Sequence, residues 1–299
     1  MSLADFLAAF ELPFISRAGI TVAVLAISAG VVGFFISFRD MEFLTDGLVH
    51  AVFPGLVIGY LVGGSALVLP GALVAALATT ALLTWFTTRG SASTRGAGAA
   101  GAGGEFTDAA IAVLLSGTFS LGIVLVSRQE SYVSALESLL FGHLLTVTET
   151  QLVEIIVVSA VAVAIMLFTW RAQLFRAHDP VGFLAAGFNP LRTDLWLGTA
   201  IALLVVAGVQ ALGSLMVLAV LIVPMAAARQ ITRKLVWLIP VAIAVTFVAG
   251  FAGISVSIWA AFELDRNASA GASVVLAMIT IYLAAAAIRA LIRSGERRA

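Results

Sequence analysis

The sequence predicts an all-α integral membrane protein, a polytopic bundle of eight or nine transmembrane helices with a short helix on its cytoplasmic side. Three observations carry that prediction. The 299 residues are 62% hydrophobic and only 11% charged, where average soluble proteins are about a quarter charged. The mean hydropathy is +1.13. The apolar runs are long and lack the alternating polarity of barrel strands, and a backbone in lipid must close its own hydrogen bonds, as a helix does. A single transmembrane domain over residues 1–299 follows.

About 20 apolar residues cross a bilayer core. Candidate spans run roughly over 18–37, 47–66, 68–87, 108–127, 151–170, 194–211, 213–228, 235–259 and 271–292. The two beside Gly213 are short and read equally well as one broken element, so the count is eight or nine. "SYVSALESLLFGHLLTV", 131–147, is amphipathic and predicts a short interfacial or re-entrant helix. "TRGSASTRGAGAAGAGGEF", 88–106, has the composition of a flexible linker and predicts a mobile cytoplasmic loop. The first residues carry Asp5 and Glu11 ahead of Arg17. A cleaved signal would begin with basic residues, so this segment reads as mature protein.

Arg and Lys favour cytoplasmic loops. If the first span ends inside at Arg39, nine spans place thirteen of the sixteen basic residues inside, and Arg17, Arg128 and Arg266 outside. The C-terminus is then cytoplasmic. On the same side lies "LFRAHDPVGFLAAGFNPLRTD", 174–194. Asp179 before Pro180 signals a helix start, an acceptor at the cap followed by a residue with pre-set φ. Gly187 suits the helix end. A short surface helix over 179–188 follows, either a plain connection or a docking surface for a cytoplasmic partner.

The second predicted span opens "FLTDGLVHAVFPGLVIGYLVGG", 43–64. Asp46 and His50 are four residues apart and share one helix face. If the membrane begins near Met41, His50 lies about 14 Å deep at about 1.5 Å per residue, close to the midplane. Ionisable groups at that depth face a bundle interior or a wet cavity and mark ion or proton paths. Carboxylate oxygen and imidazole nitrogen are also the common sulfur-free ligands of divalent first-row metals. Three readings fit the spacing: a metal site, a proton relay, and a hydrogen-bonded pair that ties helices together. Pro54 can loosen this helix locally, and Gly55, Gly59 and Gly63 form a packing stripe.

The remaining polar residues point less sharply. His143 is solitary, and His178 falls in the cytoplasmic connector. Glu263 and Asp265, in "AAFELDRNASAG", lie at the outer end of a span and suit an acidic mouth for cations or an ordinary polar loop. There is no cysteine, so thiolate sites are excluded. No GxxxxGK[ST] phosphate loop occurs, and the lone lysine, Lys234, lacks that context. ATP, if used, binds another chain. The formal net charge is zero, and nothing calls for a nucleic-acid partner.

Several stretches together resemble one family, the membrane permease subunits of ABC transporters that import zinc, manganese or iron. They are "TDGLVHAVFPG" at 45–55, "LLFGHLLTVT", "LFRAHDPVGFLAAGF", "GSLMVLAVLIVPMAAARQIT" at 213–232, and the weaker "TDAAIAVLLSG" containing Asp108. The matches are collinear over nearly the whole chain. In three places the sequence departs from the family. "SIWAAFELDRNASAG" lacks the usual proline before the last span, the Gly-rich loop is expanded, and His143 replaces a small or amide residue.

The resemblance implies a multi-pass protein of the bacterial cytoplasmic membrane that is not itself an enzyme and holds no permanent cofactor. It implies a second copy of the chain, a cytoplasmic ATPase dimer carrying ATP, and an extracytoplasmic solute-binding protein that delivers the metal. Asp46 and His50 become transient ligands for zinc, manganese or iron as substrate. The segment 179–188 becomes the coupling helix, with Asp179, Pro180, Phe183 and Gly187 serving the ATPase contact. The alternative is an ATP-independent secondary metal/proton transporter or channel using the same pair. The internal repeats common in such transporters are not evident.

Overall fold

In a computed structural model the chain is described over residues 12–94, 102–127, 142–263 and 269–296. Among these residues there are helices and no strands. Ten α-helices follow in order: α1 (Pro13–Phe38), α2 (Glu42–Gly63), α3 (Val68–Thr94), α4 (Ala102–Val126), α5 (Glu149–His178), α6 (Pro180–Ala185), α7 (Pro190–Leu212), α8 (Ser214–Ile231), α9 (Leu235–Glu263) and α10 (Ala270–Glu296). Short 3-10 turns occupy Gly64–Leu67 and Leu144–Thr146.

Eight of these helices are long and apolar enough to cross a membrane, and α8 is a shorter apolar helix. The two elements beside Gly213 are thus separate helices. Gly213 has φ +77°, a left-handed conformation that glycine adopts without a Cβ penalty. Its N–H still donates to Val209 O at 3.0 Å, and its carbonyl accepts from Val217 N at 3.1 Å. The break therefore strands few backbone groups. α1 and α7 are each 72% buried over their spanning windows, and α10 only 6%. α10 packs on α8 and α9 and leaves most of its apolar surface uncovered by the described residues.

Two sequence expectations need correction. The stretch 88–106 contributes a shorter connection than predicted, because α3 continues to Thr94 and α4 begins at Ala102; residues 95–101 lie outside the described residues. A helix already nucleated propagates at little cost, here through the Gly, Ser and Thr residues that end α3. The helix predicted over 131–147 falls largely outside the described residues. Its described end is not α-helical. Gly142 has φ +68° and approaches the Leu212–Gly213 backbone so closely that a Cβ would collide, and a 3-10 turn follows. α5 then starts on a capping box, in which Gln151 N donates to Thr148 Oγ1 at 3.3 Å and Thr148 N to Gln151 Oε1 at 3.0 Å.

The sequence predicts one domain, and the fold groups into two interleaved compact units. One comprises Met1–Ser37, Ser138–Ala160 and Ala207–Ala299; the other comprises Phe38–Glu137 and Val161–Val206. In the first, α8, α9 and α10 pack together. Arg229 donates to Ser37 O at 2.7 Å, and Arg289 donates to Arg229 O at 2.7 Å and to Gln230 Oε1 at 3.0 Å. In the second, α2 packs against α3 and α4. The glycine stripe explains the closeness. A Cβ at Gly55 would strike Ala75 and the Gly71 carbonyl, and one at Gly71 would strike the Gly55 carbonyl. The α2–α3 crossing is thus a small-residue membrane contact.

Candidate metal path and docking helix

Asp46 and His50 both lie on α2, as the i,i+4 spacing requires. His50 Nε2 is 3.4 Å from Asp46 Oδ1. The side chains are 22% and 29% exposed respectively, so each is sheltered without being sealed. The His50 ring is steadied edge-to-face by Phe119 of α4, with centroids 5.1 Å apart at 81°. Phe119 lies 5.8 Å from Phe53, and Gly122 leaves room for Phe53, which a Cβ there would overlap. Phe119, itself packed on Phe53, thus supports one His50 ring orientation.

Pro54 sits inside α2 without breaking it. Having no N–H, it cannot bond the His50 carbonyl four residues back. The carboxylate and imidazole meet on one turn of α2, and the His50 carbonyl faces the next turn without the Pro54 N–H. Among the described residues no group of three or more His, Cys, Asp and Glu side chains could hold a metal ion. The pair alone supplies one oxygen and one nitrogen donor type.

The polar segment in the second half forms the predicted short helix. Asp179 caps α6, its Oδ1 accepting from Gly182 N at 2.7 Å, and Pro180 occupies the first helical position. At the other end Gly187 has φ +81°. Phe188 N donates to Phe183 O at 3.3 Å, and Gly187 N to Leu184 O at 3.0 Å. That pattern is a Schellman motif, with its usual apolar contact between the residues at its two ends. Here the contact is Phe183 stacked on Phe188, centroids 5.0 Å apart at 25°.

Phe183 lies on the inner side of α6. It is fully buried, so it anchors α6 from behind and does not present a contact outward. Phe175 meets it edge-on at 5.5 Å. The outward face is formed by Val181, 78% exposed, with Leu184 and Phe188 also exposed. A solvent-facing apolar patch on a capped, anchored helix suits a partner.

Sequence reasoning missed a charged cluster beneath α6. Arg39 follows α1 directly; its Nη2 donates to Asp194 Oδ1 at 2.5 Å, and its Nη1 to Gln173 Oε1 at 3.1 Å. Arg176 reaches Asp194 through Nη2 at 3.3 Å and Nε at 3.5 Å. Gln173, fully buried, donates to Thr193 O at 2.8 Å. The partners are as far as 155 residues apart, and no local spacing could have joined them.

The other predicted residues stand apart. His143 and His178 are exposed, and His143 contributes its backbone, N–H to Ala211 O at 3.0 Å. Glu263 is the last residue of α9, and Asp265 lies outside the described residues, as does the predicted acidic mouth.

Eight helices long and apolar enough to cross a membrane define a multi-pass membrane protein. Residues 11–289 match the ABC 3 transport family, and the chain belongs to that family. It is 30% identical over 264 residues to the manganese transport system membrane protein MntC of Halalkalibacterium halodurans, covering 88% of this chain and 83% of the relative. It is 27% identical over 270 residues to the manganese import system permease protein ScaB of Streptococcus gordonii, covering 90% and 89%. Among solved structures it resembles PsaBC from Streptococcus pneumoniae in complex with Fab, with a TM-score of 0.77, 25% identity and 95% of each chain covered.

Proposed function

We propose that this chain is the permease subunit of an ATP-driven importer for divalent transition-metal ions, with two copies forming the path and manganese as the leading substrate. The observation that carries the reading is the Asp46–His50 turn, half-sheltered in an otherwise apolar spanning helix. Burying ionisable groups there is costly, and cation passage gives them a use. Two copies bring two carboxylates, whose charge balances one divalent ion. Weak, incomplete coordination suits a conduit, because an ion held too tightly does not leave. Oxygen donors suit manganese and imidazole suits zinc. The manganese names of the relatives favour the first.

A solute-binding protein delivers the ion on the outer side, where Glu263 and Asp265 can form an acidic mouth. A separate ATPase pair docks on the exposed Val181–Leu184 face of α6, on the cytoplasmic side that also holds the C-terminus. ATP-driven closure pushes α6 and turns the cavity from outward-open to inward-open.

The test is uptake of radiolabelled manganese and zinc into proteoliposomes holding the permease, its ATPase and its binding protein. ATP-dependent uptake should favour manganese and collapse in His50→Ala. A correctly inserted His50→Ala permease that transports normally sinks the assignment of the pair.

A further inference from the structure

We infer that the Arg39–Asp194–Arg176 cluster is the linkage through which movement of α6 reaches the Asp46–His50 turn, with Asp194 and Arg39 as positioning residues. The inference rests on the reading of α6 as the coupling helix.

The chain of contacts is continuous and lies within one compact unit. α6 is bound to its surroundings through Phe183, and the Arg176 guanidinium lies 5.8 Å from the Phe183 ring. A cation near an aromatic face is attracted to it. Displacing α6 therefore acts on Arg176 first. Arg176 divides its attraction between that ring and Asp194. Its bonds to Asp194, 3.3 and 3.5 Å, are long for charge-assisted hydrogen bonds, so it can be drawn off. The Arg39 bond to Asp194 Oδ1 is short, and Arg39 is held again by Gln173. One partner of Asp194 is thus releasable and the other is firm.

The firm partner stands at a turn. Arg39 is followed by Asp40 at φ +50°, a conformation uncommon outside glycine, and α2 begins at Glu42. Thr45 Oγ1 donates to Met41 O at 2.8 Å and braces the first turn of α2. Asp46 comes next. A shift of Arg39 therefore swings the start of a braced helix whose next side chain is the proposed ligand. A cluster serving only as glue needs no unequal bonds and no placement at this turn.

Claims of coupling require coupling data. The experiment measures ATP hydrolysis by the complete complex in nanodiscs, with and without manganese-loaded binding protein, alongside manganese uptake. Asp194→Asn should keep basal hydrolysis, lose stimulation by the loaded binding protein, and reduce uptake about tenfold, within the usual range of coupling effects. Asp194→Glu, which retains the charge, should restore most of the stimulation. If Asp194→Asn does not assemble, Arg176→Gln, which removes only the weaker arm, carries the same expectation. Wild-type stimulation and uptake in either assembled variant overturns the linkage.

Val181→Glu, on the outward face of α6, separates this inference from the one beneath it. Loss of ATPase co-purification in Val181→Glu with normal stimulation in Asp194→Asn overturns the linkage alone. An intact, stimulated Val181→Glu complex overturns the coupling-helix reading and the linkage with it.

Discussion

Asp46 and Asp194 are carboxylates of the same compact unit, and their surroundings are opposite. Asp194 is 14% exposed and receives guanidinium groups from two arginines. Asp46 is 29% exposed and faces a single imidazole at 3.4 Å, beyond the usual hydrogen-bond length. One carboxylate is saturated and has little left for a passing cation. The other has no further polar partner among the described residues. The difference teaches that an acidic residue in a membrane protein is classified by what remains unspent on it. Asp194 is tied to two arginines, and Asp46 meets one imidazole; the proposed path makes use of that difference.

The sharpest way to break this comparison is to neutralise each carboxylate in turn. Asp46→Asn should reduce manganese uptake by at least the roughly 10–100-fold that losing even an outer-shell metal partner costs. Its thermal unfolding in detergent should move by less than about 1 kcal/mol, because so loose and exposed a pair contributes little. Asp194→Ala should do the reverse to the fold. It strands two guanidiniums, and breaking such a pair from one side costs about 3 kcal/mol, visible as a lower unfolding midpoint. If Asp46→Asn unfolds the protein and Asp194→Ala does not, the assignments are the wrong way round.

A scaffold change sharpens the contrast. Gly55→Val places a branched side chain where the α3 backbone lies against α2. Overpacking of this kind costs about 1–3 kcal/mol. Stability and uptake should then fall together, a signature distinct from the uptake-only loss of Asp46→Asn. Thermal unfolding and tracer uptake on one preparation separate the two.

How much was legible in the sequence follows from distance along the chain. Asp46 and His50 were legible because one helical turn joins them. Asp179, Pro180 and Gly187 were legible because capping is local chemistry. Phe183 was named for the ATPase contact without a direction, since nothing local tells that a residue in a six-residue helix is buried, as Phe183 is. The Gly/Ala-rich stretch at 88–106 misled because its composition reads as linker, while helices nucleated in the apolar spans propagate through its Gly, Ser and Thr residues as far as Thr94. Arg39, Arg176 and Asp194 were invisible. Their pairing depends on how α5 and α7 are brought to the end of α1, which is a tertiary fact with no spacing signature.

The smallest expected effect concerns a third carboxylate, Asp179, which spends itself on backbone alone. Its Oδ1 accepts from Gly182 N, satisfying one of the donors a helix start leaves open. α6 is held at its other end by the Schellman turn and on its inner face by Phe183, so it should survive loss of the cap but fray. Asp179→Ala combined with Pro180→Ala removes the acceptor and the pre-set φ together, a cost of about 1 kcal/mol. That corresponds to roughly fivefold faster amide exchange over 182–186 where local opening governs exchange. The global unfolding midpoint should not move. Metal-stimulated ATP hydrolysis should weaken, because a frayed helix transmits force poorly, while the Asp46–His50 turn keeps its geometry. Unchanged exchange would show that the aromatic anchor alone orders α6. The order of this helix would then come from Phe183, Phe188 and Phe175, and its carboxylate cap would be dispensable.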